Sequence, residues 1–334
     1  MSSGNPHVLV TGGAGYIGSH VVLALIDAGH DVVVIDDLST GRRELLPADV
    51  PLVTGDIADQ ALVAKTVREF QCDSVMHFAG SIVVPESVND PMKYYRNNTV
   101  ASHALISCCV AEGVETFVFS SSAMVYGAPE IIPISETAPT EPTNPYGASK
   151  LMTEWMLRDA SAAGVLRYVA LRYFNVAGAD PKGRCGQAGP GTTHLIRTAC
   201  ELVNGKRAEM SIFGTDYDTP DGTCIRDYIH VADLANAHVL ALEYLRNNGE
   251  SSVMNCGYGN GFSVRQVLDV VSAVAGHDLA INETSRRDGD VPVLIAESGL
   301  IREKLGWTPM HDGLENIVRT ALDWERKDKP WQNP

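Results

Sequence analysis

The stretch His7-Val-Leu-Val-Thr11-Gly-Gly-Ala-Gly15-Tyr-Ile-Gly18 decides how this chain folds. An apolar run from His7 to Val10 leads into the glycines, and a helix-periodic apolar stretch from Ile17 to Ala28 follows, closed by Gly29. Strand, glycine-rich turn and helix, in that order, is the context a dinucleotide-binding turn requires. Glycines at 12, 15 and 18 permit a tight turn, close approach of backbone to a pyrophosphate, and close packing of helix on strand. The first helical amides, at Tyr16 and Ile17, then face the anion.

A second apolar run, Asp31-Val-Val-Val-Ile35, ends in Asp36-Asp37, 18 residues beyond Gly18. An acidic residue at about that distance hydrogen-bonds the ribose hydroxyls of NAD and repels a 2′-phosphate. Taken alone, two aspartates at a strand end read as a solvated edge; their place after the glycine turn favours the cofactor reading. Arg42 and Arg43 follow and are able to hold a 2′-phosphate, so NADP stays open.

Apolar runs alternate with helical patterns through the first half of the chain. Strands are expected near 7–11, 31–35, 50–53, 73–78, 115–120 and 166–172, and helices near 17–28, 59–70, 91–112 and 145–163. That alternation predicts an α/β fold with a Rossmann-type, doubly wound parallel sheet. From Gly178 to Gly191 there are five glycines and two prolines in 14 residues, which reads as a crossing into a second, smaller mixed α/β lobe for the substrate. Residues 1–177 are assigned to the dinucleotide lobe and 178–334 mainly to the second, with 226–256 returning to the first. A helical pattern resumes at Thr192–Asn204.

Within this frame, Tyr146-Gly-Ala-Ser-Lys150 places a phenol and an amine on one face of a helix, one turn apart. A free tyrosine ionises near pH 10, and bringing it to about 7 needs about 4 kcal/mol of electrostatic bias. A lysine one turn away favours the phenolate. Ser122, at the end of an expected strand, adds a hydroxyl able to share a proton. Together these groups can deprotonate a carbinol while its hydride leaves for a dinucleotide.

The net charge of −15 argues against a nucleic-acid binder, which would carry a basic patch or stripe. No apolar run approaches a membrane span, and residues 1–6 lack the charged-then-apolar order of a signal peptide. Seven cysteines without C-x-x-C spacing read as reduced thiols of a cytoplasmic protein, and no residue group has metal-ligand spacing.

The motifs TGGAGYIGSH, HFAG with PESV, YYRNN, FSSSAMVYG, NPYGASK, LRYFNVAGA, IFGTDY, GTCIRDYIHV and RRDGDVP carry a resemblance from Val8 to about Trp324. Together they resemble the extended short-chain dehydrogenase/reductase family, most closely its UDP-glucose 4-epimerase branch. That resemblance implies transient oxidation at carbon 4 of a UDP-hexose, with NAD as cofactor. It implies Tyr146 as base, Lys150 as ribose-binding and electrostatic partner, and Ser122 as the bridging hydroxyl. Asp36, Asp37, Asp56, Ile57, Phe78, Ala79, Gly80, Asn97 and Phe174 then line NAD with the glycine turn. Asn175, His194, Leu195, Ser211, Phe213, Arg226, Tyr228, Arg287, Asp290 and Leu294 then surround the UDP-sugar, alongside Ser122 and Tyr146.

Two arginines in glycine- or aspartate-rich loops also suit a diphosphate on chemical grounds; the bland alternative is a surface pair with Asp227 or Asp290. The resemblance further implies a homodimer through a four-helix bundle of 91–112 and 145–163, with Leu151, Trp155 and Met156 supplying an apolar face. Some positions depart from the family pattern: Met124 where threonine is common, Ile82 where some relatives have lysine, His194 for a frequent asparagine, and Leu294 at a variable gate. These bear on substrate range more than on the reaction. A 4,6-dehydratase would need an Asp-Glu pair where Ala123 and Met124 stand. Epimerases or decarboxylases of other UDP-sugars (N-acetylhexosamine, pentose or uronic acid) remain open alternatives. A catalytically inactive NAD sensor would ordinarily have lost the tyrosine or the lysine.

Overall fold

Successive residues of the first strand, Val8, Leu9 and Val10, point alternately into two different apolar clusters. A strand buried on both faces must be apolar throughout, and that is why these runs lack polar alternation. The computed structural model describes residues 6–189, 193–287, 290–327 and 329. Pro190–Thr192 of the glycine-rich crossing and Asp288-Gly289 of RRDGDVP lie outside the described residues.

In chain order the strands are β1 (Val8–Thr11), β2 (Val32–Asp36), β3 (Leu52–Thr54), β4 (Ser74–His77), β5 (Thr116–Ser120), β6 (Arg167–Tyr173), β7 (Asn175–Ala177), β8 (Met210–Phe213), β9 (Ile225–His230), β10 (Ser252–Cys256), β11 (Gly261–Ser263), β12 (Ile281–Thr284) and β13 (Val293–Leu294). Seven of them form a parallel sheet in the order β10-β6-β5-β4-β1-β2-β3. Helices Tyr16–Asp27 and Val231–Arg246 cover one face; Gln60–Glu69, Ala101–Ala111 and Pro145–Ala162 cover the other. A second group centres on β9, paired with β7, β11 and β13, while β8 pairs with β12.

β10 adds a seventh strand beside β6, within the 226–256 segment expected to return to the dinucleotide lobe. The structure departs from the sequence pattern in one place. The helix expected over 91–112 is interrupted: Pro91–Tyr94 runs into a π-helical turn, Tyr95–Val100, before Ala101–Ala111. π-turns arise where an extra residue is accommodated inside a helix, often at functional sites, and this one carries Asn97 and Asn98.

Candidate functional site

Strand order reverses between β1 and β4, and the carboxyl ends of both open on a cleft of about 1840 Å³. Open α/β sheets take ligands at such a point. Every candidate residue named from the sequence lines this one cleft.

At the first end of the cleft, Gly12 has φ 68°, and a β-carbon there would meet the Ala79 nitrogen at 2.5 Å. A β-carbon on Gly18 would collide with the Gly12 carbonyl. Gly15 caps helix Tyr16–Asp27 with no side chain covering its first amides, the arrangement an anion uses. Asp36 is 6% exposed and accepts hydrogen bonds from the Ala14 and Leu38 nitrogens, both at 2.9 Å. Burial raises its pKa, against those two bonds. Gly41 packs on the Asp36 carboxylate with no room for a side chain. Asp37 is exposed and holds Ser39. Arg43 donates to the carbonyls of Pro47 (3.0 Å) and Ala48 (2.8 Å), which commits it to its own loop rather than to a 2′-phosphate.

Further along, Asp56 accepts from the Ala58 nitrogen, Ile57 is buried, and Phe78, Ala79 and Gly80 leave the end of β4. Asn97 donates to the Ser81 hydroxyl at 3.1 Å, and Phe174 follows β6. Tyr16 donates to the Gly178 carbonyl at 2.7 Å and so ties the turn to the crossing segment. A glycine floor, an unencumbered helix terminus and a buried acidic residue fit a dinucleotide.

The middle of the cleft holds Ser122, Tyr146 and Lys150. Asn144 caps helix Pro145–Ala162 by accepting from the Gly147 nitrogen at 2.9 Å, and Pro145 takes the first helical position. This brings Tyr146 and Lys150, 7% and 4% exposed, beneath the end of β5. Lys150 donates to the Ser120 carbonyl at 3.0 Å, with its amine 6.0 Å from the Tyr146 ring centroid. Burial raises the Tyr146 pKa, and a hydrogen bond with Ser122 lowers it in part. Burial also lowers Lys150, to about 8. Against the expected lowering, burial is the larger influence on Tyr146, and the influence that opposes it comes from Ser122.

At the far end, Arg226 and Leu294 are direct partners on β9 and β13. Arg226 donates to the Ile225 and Pro292 carbonyls and approaches Asp290 at 3.9 Å. Arg287 lies over the Phe213 ring, 3.6 Å from its centroid. Asn175, Ser211 and Leu195 line the walls between, and Tyr228 is buried beneath them. His194 accepts a hydrogen bond from the Gln187 amide at 2.9 Å, and burial lowers its pKa, with Arg197 adding to the effect. Leu294 is 5% exposed and packs with Ala123, Val125, Tyr126, Leu151 and Phe174. Met124 and Ile82 also line the cleft.

Several supporting residues escaped the sequence reading. Tyr94 meets Tyr146 edge-on at 6.4 Å and accepts from the Val83 nitrogen. Asn98 holds Ser81 through the Ser81 nitrogen and carbonyl and donates to Ser149 on helix Pro145–Ala162. Both lie in the YYRNN segment, Tyr94 three residues before Asn97 and Asn98 one after it, and both are buried. Among the described residues no group of His, Cys, Asp and Glu is placed to hold a metal, and no helix is long and apolar enough to cross a membrane.

Comparison with known proteins adds a separate line of support. Residues 8–257 match the model of the NAD dependent epimerase/dehydratase family. The chain is 62% identical to the UDP-glucose 4-epimerase of Azospirillum brasilense, over 98% of this chain and 94% of that protein. The crystal structure of UDP-glucose 4-epimerase from Brucella ovis in complex with NAD superposes with a TM-score of 0.93 at 44% identity, covering 96% of this chain and 98% of that one. The UDP-Glc/GlcNAc 4-epimerase of Campylobacter jejuni gives a TM-score of 0.84 at 45% identity, covering 96% and 99%.

Proposed function

Since the chain belongs to the NAD dependent epimerase/dehydratase family, we propose that Ser122, Tyr146 and Lys150 carry out inversion at carbon 4 of a UDP-hexose, interconverting UDP-glucose and UDP-galactose. The enzyme is an NAD-dependent isomerase. The observation that carries the residue assignment is the convergence of these three groups under the end of β5, on the cleft that opens at the switch point of the sheet.

Gly12, Gly15 and Gly18 with the Tyr16 helix terminus would hold the pyrophosphate of NAD, and Asp36 its ribose. Bound NAD would supply the acceptor for the carbon 4 hydride and a positively charged ring that adds to Lys150 in favouring the phenolate. Tyr146 takes the proton of the sugar 4-hydroxyl, with Ser122 bridging the two oxygens. Lys150 keeps positive charge beside the phenolate at neutral pH, since its pKa of about 8 leaves it mostly protonated. Arg226 and Arg287 anchor the diphosphate, so the 4-keto sugar can turn over without leaving. Return of the hydride to the opposite face of carbon 4 inverts the centre, and Tyr146 gives its proton back to the 4-oxygen.

The division into a dinucleotide lobe (1–177 with 226–256) and a substrate lobe drawn mainly from 178–334 belongs to the same reading, supported by β10 completing the parallel sheet. So does a homodimer in the cytoplasm. Its support is Trp155, 46% exposed on the catalytic helix, with Met92 and Val100 at 66% and 59% on the neighbouring one. Leu151 does not contribute to that face, because it is buried in the subunit, and Met156 packs partly inward.

A second reading, activity on N-acetylated UDP-hexoses as well, is favoured by Leu294 at the sugar end and by the likeness to the Campylobacter jejuni protein. The test of the main reading is Tyr146→Phe. Epimerisation should fall by about 10²–10⁴-fold with NAD binding intact. Retention of more than about a tenth of the rate would remove Tyr146 from the mechanism.

A further inference from the structure

Ser120, Ser121 and Ser122 end β5 side by side, yet only the outer two line the cleft. Ser121 is 0% exposed and turns away from it, donating to the Glu154 carboxylate at 2.5 Å. Glu154 is itself 3% exposed and lies on the catalytic helix one turn beyond Lys150. Its two oxygens accept from Arg172 on β6 at 2.9 and 2.6 Å, a two-pronged contact that fixes the carboxylate in plane. Arg172, 6% exposed, lies over the Tyr126 ring at 4.8 Å, and Tyr126 donates to Asn255 on β10 at 2.7 Å.

The chain of contacts thus runs from the sheet, through the helix, to the middle of the serine triplet. A buried ion pair is weak evidence for stability, because desolvation consumes most of its attraction. A pair that grips one serine between two working ones has a geometric consequence instead. Ser120 presents its carbonyl to Lys150, and Ser122 presents its hydroxyl to Tyr146. Both contacts depend on how far the triplet stands from the helix, and Ser121 is the rivet between them.

We propose that Ser121, Glu154 and Arg172 form a positioning triad that sets the Ser122–Tyr146 and Ser120–Lys150 contacts for catalysis. The inference rests on the reading of Tyr146 as base. None of the three touches the reacting atoms. Glu154 holds Ser121, Arg172 holds Glu154 in one orientation, and the strand-to-helix spacing follows.

The test is steady-state kinetics of Ser121→Ala on the holoenzyme with UDP-galactose, beside wild type and Tyr146→Phe. Removing one hydroxyl leaves the Glu154–Arg172 pair bonded, so the variant folds. Its kcat should fall roughly ten- to hundredfold, as misplacement by a fraction of an ångström to 1 Å does, while KM stays within about twofold. The kcat–pH profile should also move to higher pH, because a lengthened Ser122 contact favours the phenolate less. The other groups facing Tyr146 are Lys150 on its own helix, Tyr94 with Glu86 behind it, and Tyr173 on β6; none is altered by the substitution.

Ser121→Thr keeps the hydroxyl and should recover most of the rate. Glu154→Gln, which leaves Arg172 without its charge partner, should show the same shift in profile if it folds. An unchanged kcat and pH profile in Ser121→Ala, with Tyr146→Phe inactive, overturns the triad and leaves the base assignment standing. An active Tyr146→Phe overturns the base assignment itself.

Discussion

Replacing Lys150 by methionine removes an ammonium group that the fold hydrates poorly, and the structure gives the size of the effect. Burial moves the lysine from 10.5 to about 8, which corresponds to about 3 kcal/mol of destabilisation while the amine carries its proton. The folded chain holds that proton more weakly than the unfolded chain does. Unfolding therefore takes up a proton between pH 8 and 10.5, and wild-type stability rises with pH across that window. Below pH 8 the cost is present in full. Methionine has no such term. The difference in unfolding free energy between wild type and Lys150→Met should shift by about 2 kcal/mol in favour of wild type from pH 7 to 9.5. The lost bond to the Ser120 carbonyl and the contact over Phe119, 5.0 Å from amine to centroid, shift the two curves by a constant and drop out of the comparison. Urea unfolding of dinucleotide-free protein at intervals of half a pH unit measures it, with epimerase activity in parallel. The variant should be nearly inactive, so stability and function diverge at one residue. A difference that stays flat with pH would refute a desolvated Lys150.

Gly18→Ala drives a β-carbon into the Gly12 carbonyl; overpacking of about 1–3 kcal/mol should weaken NAD binding roughly tenfold or more, and calorimetry showing unchanged affinity would contradict the packing role. Leu294→Tyr should narrow the sugar end, lowering kcat/KM for UDP-N-acetylglucosamine relative to UDP-glucose by roughly ten- to hundredfold; wild type without N-acetyl activity, or an unchanged ratio in the variant, would show that Leu294 is not the gate. Light scattering at micromolar concentration should give twice the chain mass of 35.9 kDa, and Trp155→Glu should shift it toward the monomer; a monomer in the wild type would contradict the dimer.

What the sequence made legible, and what it hid, divide along a physical line. The glycine turn, the aspartate after β2 and the Tyr146–Lys150 spacing are local: each rests on residues a few positions apart along one strand, turn or helix, where backbone geometry dictates who faces whom. The parallel sheet followed from alternating apolar runs for the same reason. β10 was not named as a strand because Ser252-Val-Met-Asn-Cys256 interrupts its apolar run with Asn255, whose side chain is buried and accepts from Tyr126. Glu154 is the sharper case. In Leu151-Met-Thr-Glu-Trp155 it looks like the solvent side of a helix and Leu151 or Trp155 like the apolar side. The structure buries Glu154 and leaves Trp155 out, because Arg172 on β6 compensates the charge. No spacing rule predicts that partner, 18 residues away on another element.

The Tyr146 pKa has the same origin. Counting charged neighbours along the helix predicts a lowered value, whereas burial raises it, with the Tyr94 ring packed edge-on against Tyr146. Local sequence therefore identifies which groups meet, while the sign of their balance belongs to the packing around them. Burial holds Tyr146 in its neutral form, so its proposed role as base depends on opposite charge being brought to it, which ties proton transfer to a filled site. Hydration of the pocket, as in a variant that opens the Tyr94 wall, should lower the Tyr146 pKa and loosen that tie at once.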